Sequence, residues 1–236
     1  MLYKLNRLGK VHKALRVVGN RVLWSVPESP KYRVANAFRR GRLPYRLLRP
    51  GDTVVQIGAP WDVLRAGRSR AVHFALLVGA GGRVIVVEPD PDNVAALAAF
   101  KTRRGLDQIS IVDKGAWSQK DRLRFLVNPS HPASNLVESV YDTKRADMEH
   151  YEAIEVEVEA LDSILAGQGV SEVRLVSITT NGSEQQVLEG MRETQKATTY
   201  VATVGRPEKY RIVEEYGFQL LGEDDRGYLF GRPGQA

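Results

Sequence analysis

GDTVVQIGAPWDVLRAGRSRAVHFALLVGAGGRVIVVEPD, residues 51–90, is the stretch on which the fold turns. Thr53–Ile57 is a short apolar run that stops at Gly58, and Val84–Val87 is a second that stops at Glu88-Pro89-Asp90. Between them, Ser69–Val78 carries helical spacing, with Ser69 placed as an N-cap after the turn at Gly67 and Arg68. Strand, helix, strand in that order is a βαβ unit, so the strands run parallel and the crossover is right-handed. Ligands of such sheets sit at the carboxyl ends of the strands. Gly58, Ala59 and Glu88 all fall there.

Outward from this unit the same grammar continues. Pro91–Phe100 reads as a helix with Val94, Leu97 and Ala98 on one face, and Ile109–Val112 as a third strand. Arg122–Val127 is a short alternating strand, and Asn128–Leu136 is a loop. The strict alternation of Glu155–Glu159 predicts an edge-type strand with Val156 and Val158 inward and a solvated row of carboxylates. Val173–Ile178 and Thr199–Val204 are further strands, Pro207–Tyr216 a helix, and Phe218–Leu221 with Tyr228–Phe230 a closing antiparallel pair. Tyr141–Tyr151 is a charged segment, helical or mobile.

The 236 residues suit one body of ordinary size, with 43% hydrophobic and 26% charged residues. The chain has no cysteine, which rules out disulfides and thiolate metal sites. The four histidines, His12, His73, His131 and His150, show no ligand spacing, so no metal site is expected. No apolar run is long enough to span a bilayer, and the basic N-terminus lacks the unbroken apolar core of a signal peptide. The expectation is a cytoplasmic protein. Charge is uneven: residues 1–49 hold 13 Lys/Arg and one acid, a net of +12, while the other 21 Lys/Arg and 27 acids carry −6. The chain therefore divides into a basic helical extension, 1–49, and a body, 50–236. Within 1–25, Leu2, Leu5, Leu8, Val11, Leu15, Val18 and Val22 make an apolar stripe, with Lys4, Arg7, Lys10, Lys13 and Arg16 between them. Such a helix packs on the body or attaches reversibly to an anionic membrane surface, and either suits the pattern. No nucleic-acid recognition motif is present. Val34–Arg49 reads as a second short basic helix.

Gly58-Ala59 and Glu88-Pro89-Asp90 resemble the FkbM-type family of S-adenosylmethionine-dependent methyltransferases, which carries Asp-x-Gly-Ala-Asn-x-Gly after its first strand and Glu-Pro-Asp after its second. Leu161-Asp162-Ser163-Ile164-Leu165 is similar to the family's Leu-Asp-x-Ile/Leu-Leu, where Asp162 would cap a helix. Gly182 and Glu184 match its Lys-Ile-Asp-Val-Glu-Gly-Ala-Glu segment, and Val187–Met191 match the residues after it. The departures fall on polar positions. Gln56 stands for Asp, Ser177 for Lys, Thr179 for Asp and Asn181 for Glu. The resemblance implies an α/β, Rossmann-like class I methyltransferase fold: a mostly parallel seven-stranded sheet with helices on both faces. It implies S-adenosylmethionine as cofactor, held around Gln56, Gly58, Ala59, Glu88, Asp113, Ala116 and Trp117. Arg68 or Arg70, at a helix N-terminus, would hold the methionine carboxylate.

For function, the resemblance implies methyl transfer to a hydroxyl of a sugar, glycan or natural product, the acceptor being a small molecule or a glycan. Thr179, Asn181 and Glu184 face the acceptor by this reading, and only Glu184 supplies a base. The neutral residues at 56, 179 and 181 motivate a second reading, a methyltransferase-fold protein that binds or scaffolds without catalysing. A nicotinamide oxidoreductase would need Gly-x-Gly-x-x-Gly, which Gly58-Ala59-Pro60 does not provide.

Overall fold

The computed structural model describes residue 37 and residues 39–60, 67–140, 150–205 and 207–234. The chain divides into two compact units, Met1–Gly41 and Arg42–Ala236. The basic helix read over 1–25 and most of the charged segment 141–151 lie outside the described residues.

Eleven strands and five helices are described in the second unit. The strands are β1 (Thr53–Ile57), β2 (Arg83–Val87), β3 (Ile109–Val112), β4 (Gly115–Trp117), β5 (Asp121–Val127), β6 (Leu136–Val137), β7 (Glu152–Ala160), β8 (Val173–Ile178), β9 (Thr198–Val204), β10 (Gln219–Glu223) and β11 (Gly227–Gly231). The helices are α1 (Gly67–Val78), α2 (Pro91–Arg104), α3 (Leu161–Gly167), α4 (Glu184–Glu189) and α5 (Arg211–Glu215). Seven strands form one sheet in the order β10-β11-β9-β8-β1-β2-β3. The five from β3 to β9 are parallel, and β11 runs antiparallel to both β9 and β10. The order reverses between β1 and β8, which opens a crevice at their carboxyl ends.

Alternation along the strands divides the core. Val55, Ile57, Ile85, Val87, Val176, Ile178 and Val201 pack with Leu161 and Ile164 of α3, Val187 and Leu188 of α4, and Val213 of α5. The intervening Val54, Val84, Val86 and Leu175 are equally buried and, by the two-residue period, face the other way. On that side α1 contacts β1 and β2, and contributes the buried Ala71, Phe74 and Ala75. Both faces being covered, β1, β2 and β8 are near-continuous hydrophobic runs. The α2 helix begins on an Asp90 side-chain cap with proline at its first position, and it stops at Gly105 in the left-handed region.

Four expectations are corrected by the fold. The chain after residue 40 forms turns and a single 3-10 turn at Tyr45–Leu47 rather than a helix to Arg49; Pro44 lacks the donor that a helix needs. Ser69 is not an N-cap, because α1 already includes Gly67. β7 is an inner strand of a second, four-stranded sheet, β4-β7-β5-β6, although its outer carboxylates are solvated as expected. The segment 207–216 is a 3-10 turn at Pro207–Lys209 followed by the short α5. No described helix is long and apolar enough to cross a membrane.

Candidate active site

Between the small sheet and the carboxyl edge of the large one lies a concave, largely apolar cleft, the character usual for small-molecule sites. Its floor is Ile57, Gly58, Val87 and Glu88, and one wall is Trp117, Phe125, Val156 and Val158 of the small sheet. The opposite rim is Thr179, Thr180, Asn181 and Ser183 after β8. Of the lining side chains, Glu88 is the only charged one among the described residues. The cleft is otherwise apolar with a rim of amides and hydroxyls.

Glu88 is buried, and its position is set by the turn above β1. Oε2 accepts from the Ala59 amide at 2.6 Å, and Oε1 accepts from the Asp90 amide at 3.1 Å and Asn93 Nδ2 at 3.3 Å. Burial pushes the carboxyl up to about 7, against the opposing pull of these donors. A carboxylate offers roughly four acceptor positions. Three are taken by donors among the described residues.

Gln56 does not line the cleft. It is fully buried beneath the turn, where Nε2 donates to Ile57 O (3.0 Å), Gly58 O (2.8 Å) and Thr179 Oγ1 (2.7 Å). Its Oε1 accepts from Ser177 Oγ at 2.8 Å, and Thr179 Oγ1 also lies 3.0 Å from both carbonyls. Thus Gln56, Ser177 and Thr179, three of the four departures from the family pattern, hydrogen-bond to one another as a neutral set. Gly58 sits at φ 79°, and a Cβ there would lie 2.5 Å from Thr179 O, so the turn after β1 rests directly on the turn after β8. Gly58→Ala is expected to cost about 2 kcal/mol through the left-handed conformation and the displaced carbonyl, read as a lower urea midpoint with unchanged slope.

Glu184, the one carboxylate expected on the acceptor side, is buried and engaged. Oε1 accepts from Thr180 Oγ1 (2.8 Å) and the Gly182 amide (3.2 Å), and Oε2 from Tyr210 OH (3.3 Å). Burial and the Glu184 charge push the Tyr210 phenol well above its ordinary value. The residues lining the cleft do not include Glu184, which instead holds the shape of the turn that does.

Of the other sequence-derived residues, Ala116 and Trp117 line the cleft. Ala59 enters through its backbone, and Asp113 is exposed and apart from the lining. Trp117 is fixed by close packing at Gly190, where any Cβ would collide with the Trp117 carbonyl. Arg70 is not available to a ligand carboxylate. It is buried against Asp224 at 2.6 Å, with Asp225 at 3.5 Å. The side chain of Arg68 is outside the described residues. Asp162 caps no helix of its own; it accepts from the amides of Glu193 (3.0 Å) and Thr194 (2.7 Å) and so ties α3 to the chain before β9. Sequence reading missed Asn135, whose side chain is buried between two strand ends; only its place within Ser134-Asn135-Leu136 pointed to it.

Five parallel strands, an antiparallel pair at one edge and a cleft above the β1/β2 and β8 ends define the class I methyltransferase architecture. The family model described as the methyltransferase FkbM domain matches residues 56–227, and the chain belongs to this family. Among solved structures it resembles methyltransferase FkbM from Methylobacillus flagellatus, with 16% identity and TM-score 0.50 over 77% of this chain and 43% of that one. The chain thus spans less than half the length of that protein. It also resembles fibrillarin from Aeropyrum pernix, whose structure holds S-adenosyl-L-methionine, with 12% identity and TM-score 0.47 over 84% and 73% of the two chains. A methyltransferase from Geobacter sulfurreducens matches at 16% identity and TM-score 0.46 over 92% and 96%. At these identities the likeness is one of fold. No curated relative matches the chain.

Proposed function

We propose that this protein is an S-adenosylmethionine-dependent methyltransferase whose acceptor is a hydroxyl of a sugar, glycan or natural product. The observation that carries the reading is the cleft itself: a buried carboxylate on its floor, beside the β1 turn and facing an aromatic wall. Glu88 would take a ribose hydroxyl, while Ala116 and Trp117 would flank the adenine. When bound, the cofactor supplies a methyl group on a sulfonium. The chain's own part is to hold an acceptor hydroxyl in line with that methyl at the rim of Thr179, Thr180 and Asn181. Membership in the methyltransferase family supports the enzyme reading.

Glu184 does not line the cleft, so the acceptor proton leaves by another route in this reading, and positioning carries more of the rate than base catalysis. The alternative is a protein of the same fold that binds without transferring, and a rim of only neutral side chains among the described residues is the feature that favours it. Calorimetry with S-adenosylhomocysteine separates them at the first step. Micromolar binding is expected, weakened roughly 10- to 100-fold by Glu88→Ala, the size of one lost hydrogen bond to a charged group. Folded wild-type protein that binds neither the cofactor nor its product would remove the enzyme reading. The basic N-terminal segment would then be examined on vesicles with and without anionic lipid.

A further inference from the structure

The loop before β6 crosses the cleft between two strand ends, and one run of amide side chains fastens it at both. Asn135 Nδ2 donates to Asp90 Oδ2 at 2.6 Å, on the N-cap of α2. Asn135 Oδ1 accepts from the Asn128 amide at 2.8 Å, which closes the base of the loop. On the far side Asn181 Nδ2 donates to two backbone carbonyls of the same loop, Ala133 O at 2.9 Å and Asn135 O at 2.8 Å. Inside the loop, Asn128 Oδ1 accepts from the amides of Ser130 and His131, and Ser134 Oγ and N both donate to His131 O. Asp90, Asn135, Ala133 and Asn181 form one continuous path from the end of β2 to the turn after β8. Ala133, Asn135 and Asn181 all line the cleft.

We infer that Asn181 is a positioning residue whose amide holds the 128–136 loop against the cleft, and that the carboxamide is required there because it donates. Both partners of Asn181 are carbonyl oxygens. A carboxylate at this position is acceptor-only and would face two acceptors, repelling the loop it should fasten. Asn181 is not the remnant of a lost base. It is a fastening, and the wall it holds decides how wide the cleft stands. The inference rests on the proposed methyltransferase reading only for the identity of the ligand used in its second test.

The first test needs no ligand. Amide hydrogen exchange of the loop is compared between wild type, Asn181→Asp and Asn181→Ala at pH 8 and pH 4.5, each variant against wild type at the same pH. Asn181 is exposed, so the variants keep the core and fold. At pH 8 both variants are expected to exchange the amides of His131 and Ser134 roughly 10- to 100-fold faster, the size of one or two lost hydrogen bonds. At pH 4.5, close to the ordinary aspartate value of about 3.9, part of the Asn181→Asp population carries a proton and can donate one hydrogen bond. Asn181→Asp should then recover toward wild type while Asn181→Ala does not. Wild-type exchange in Asn181→Asp at pH 8 overturns the inference, and so does a pH 4.5 result in which the two variants remain alike. The second test is S-adenosylhomocysteine calorimetry at pH 8, where each variant is expected to bind roughly tenfold more weakly. Loop opening in the variants without ligand binding to wild type would leave the fastening standing and remove the methyltransferase reading. Binding to wild type with an unmoved loop in the variants would do the reverse.

Discussion

Raising the pH from 5 to 8 is expected to weaken the fold and tighten the proposed cofactor site at the same time, through Glu88. Its folded value of about 7 lies above the ordinary 4.5, so between those limits the folded protein keeps a proton that the unfolded chain has released. The stabilising contribution is complete below 4.5 and is lost as pH rises to 7. The difference of 2.5 corresponds to about 3 kcal/mol. A hydroxyl donor in the cleft prefers the ionised carboxylate, and below 7 the group must first lose its proton. S-adenosylhomocysteine affinity should therefore climb close to tenfold per pH unit up to 7 and then level. Thermal unfolding and calorimetry over pH 5–8, the latter in buffers of different ionisation enthalpy, read the two arms. A proton released on binding at pH 6, absent at pH 8, is the signature. Flat curves in both measurements would mean that Glu88 is ionised throughout.

Replacing Gln56 by Glu is expected to destabilise the protein by about 3 kcal/mol at pH 8, on the order of a 6–12 °C fall in Tm for a domain of this size. The new carboxylate would lie fully buried where Nε2 now donates to two carbonyls, with only the hydroxyls of Ser177 and Thr179 to receive it. Much of the loss should return at pH 5, where the side chain is protonated and can donate once. An unchanged Tm at pH 8 would show that the neutral set does not hold the β1 and β8 turns together. The result bears on function because those turns floor the cleft. Neutral residues at 56, 177 and 179 make one consistent arrangement here; a charged member inserted alone would break it.

The centre of the large sheet was legible because its strands are short apolar runs, β1 stopped by Gly58 and β2 by Glu88-Pro89. Buried on both faces, β1, β2 and β8 are mostly apolar. The small sheet was harder. β4 and β6 are three and two residues long, and nothing in Gly115-Ala116-Trp117 or Leu136-Val137 announces a strand before its partners are known. β7 looked like an edge because its outer face is solvated, yet solvation of a face says nothing about neighbours to either side. Among site residues, Glu88, Gly58, Ala116 and Trp117 came together as the strand ends required. Gln56 did not reach the cleft, since a side chain at the penultimate position of β1 points into the layer below. Arg70 was misread for a different reason. Its partner, Asp224, is 154 positions away, and local spacing cannot reveal such a pairing.

That pairing has a consequence for the order in which the molecule is made. A ribosome delivers Arg70 long before Asp224, and at about 5–20 residues per second the gap lasts roughly 8–30 s. Throughout it, seating the first helix would inter a guanidinium with no counter-ion. The nascent chain therefore has reason to leave that helix unseated until the last hairpin emerges. The final strands act as the clasp of the whole body, and a chain released before residue 224 would carry its Rossmann half complete in sequence and open in structure.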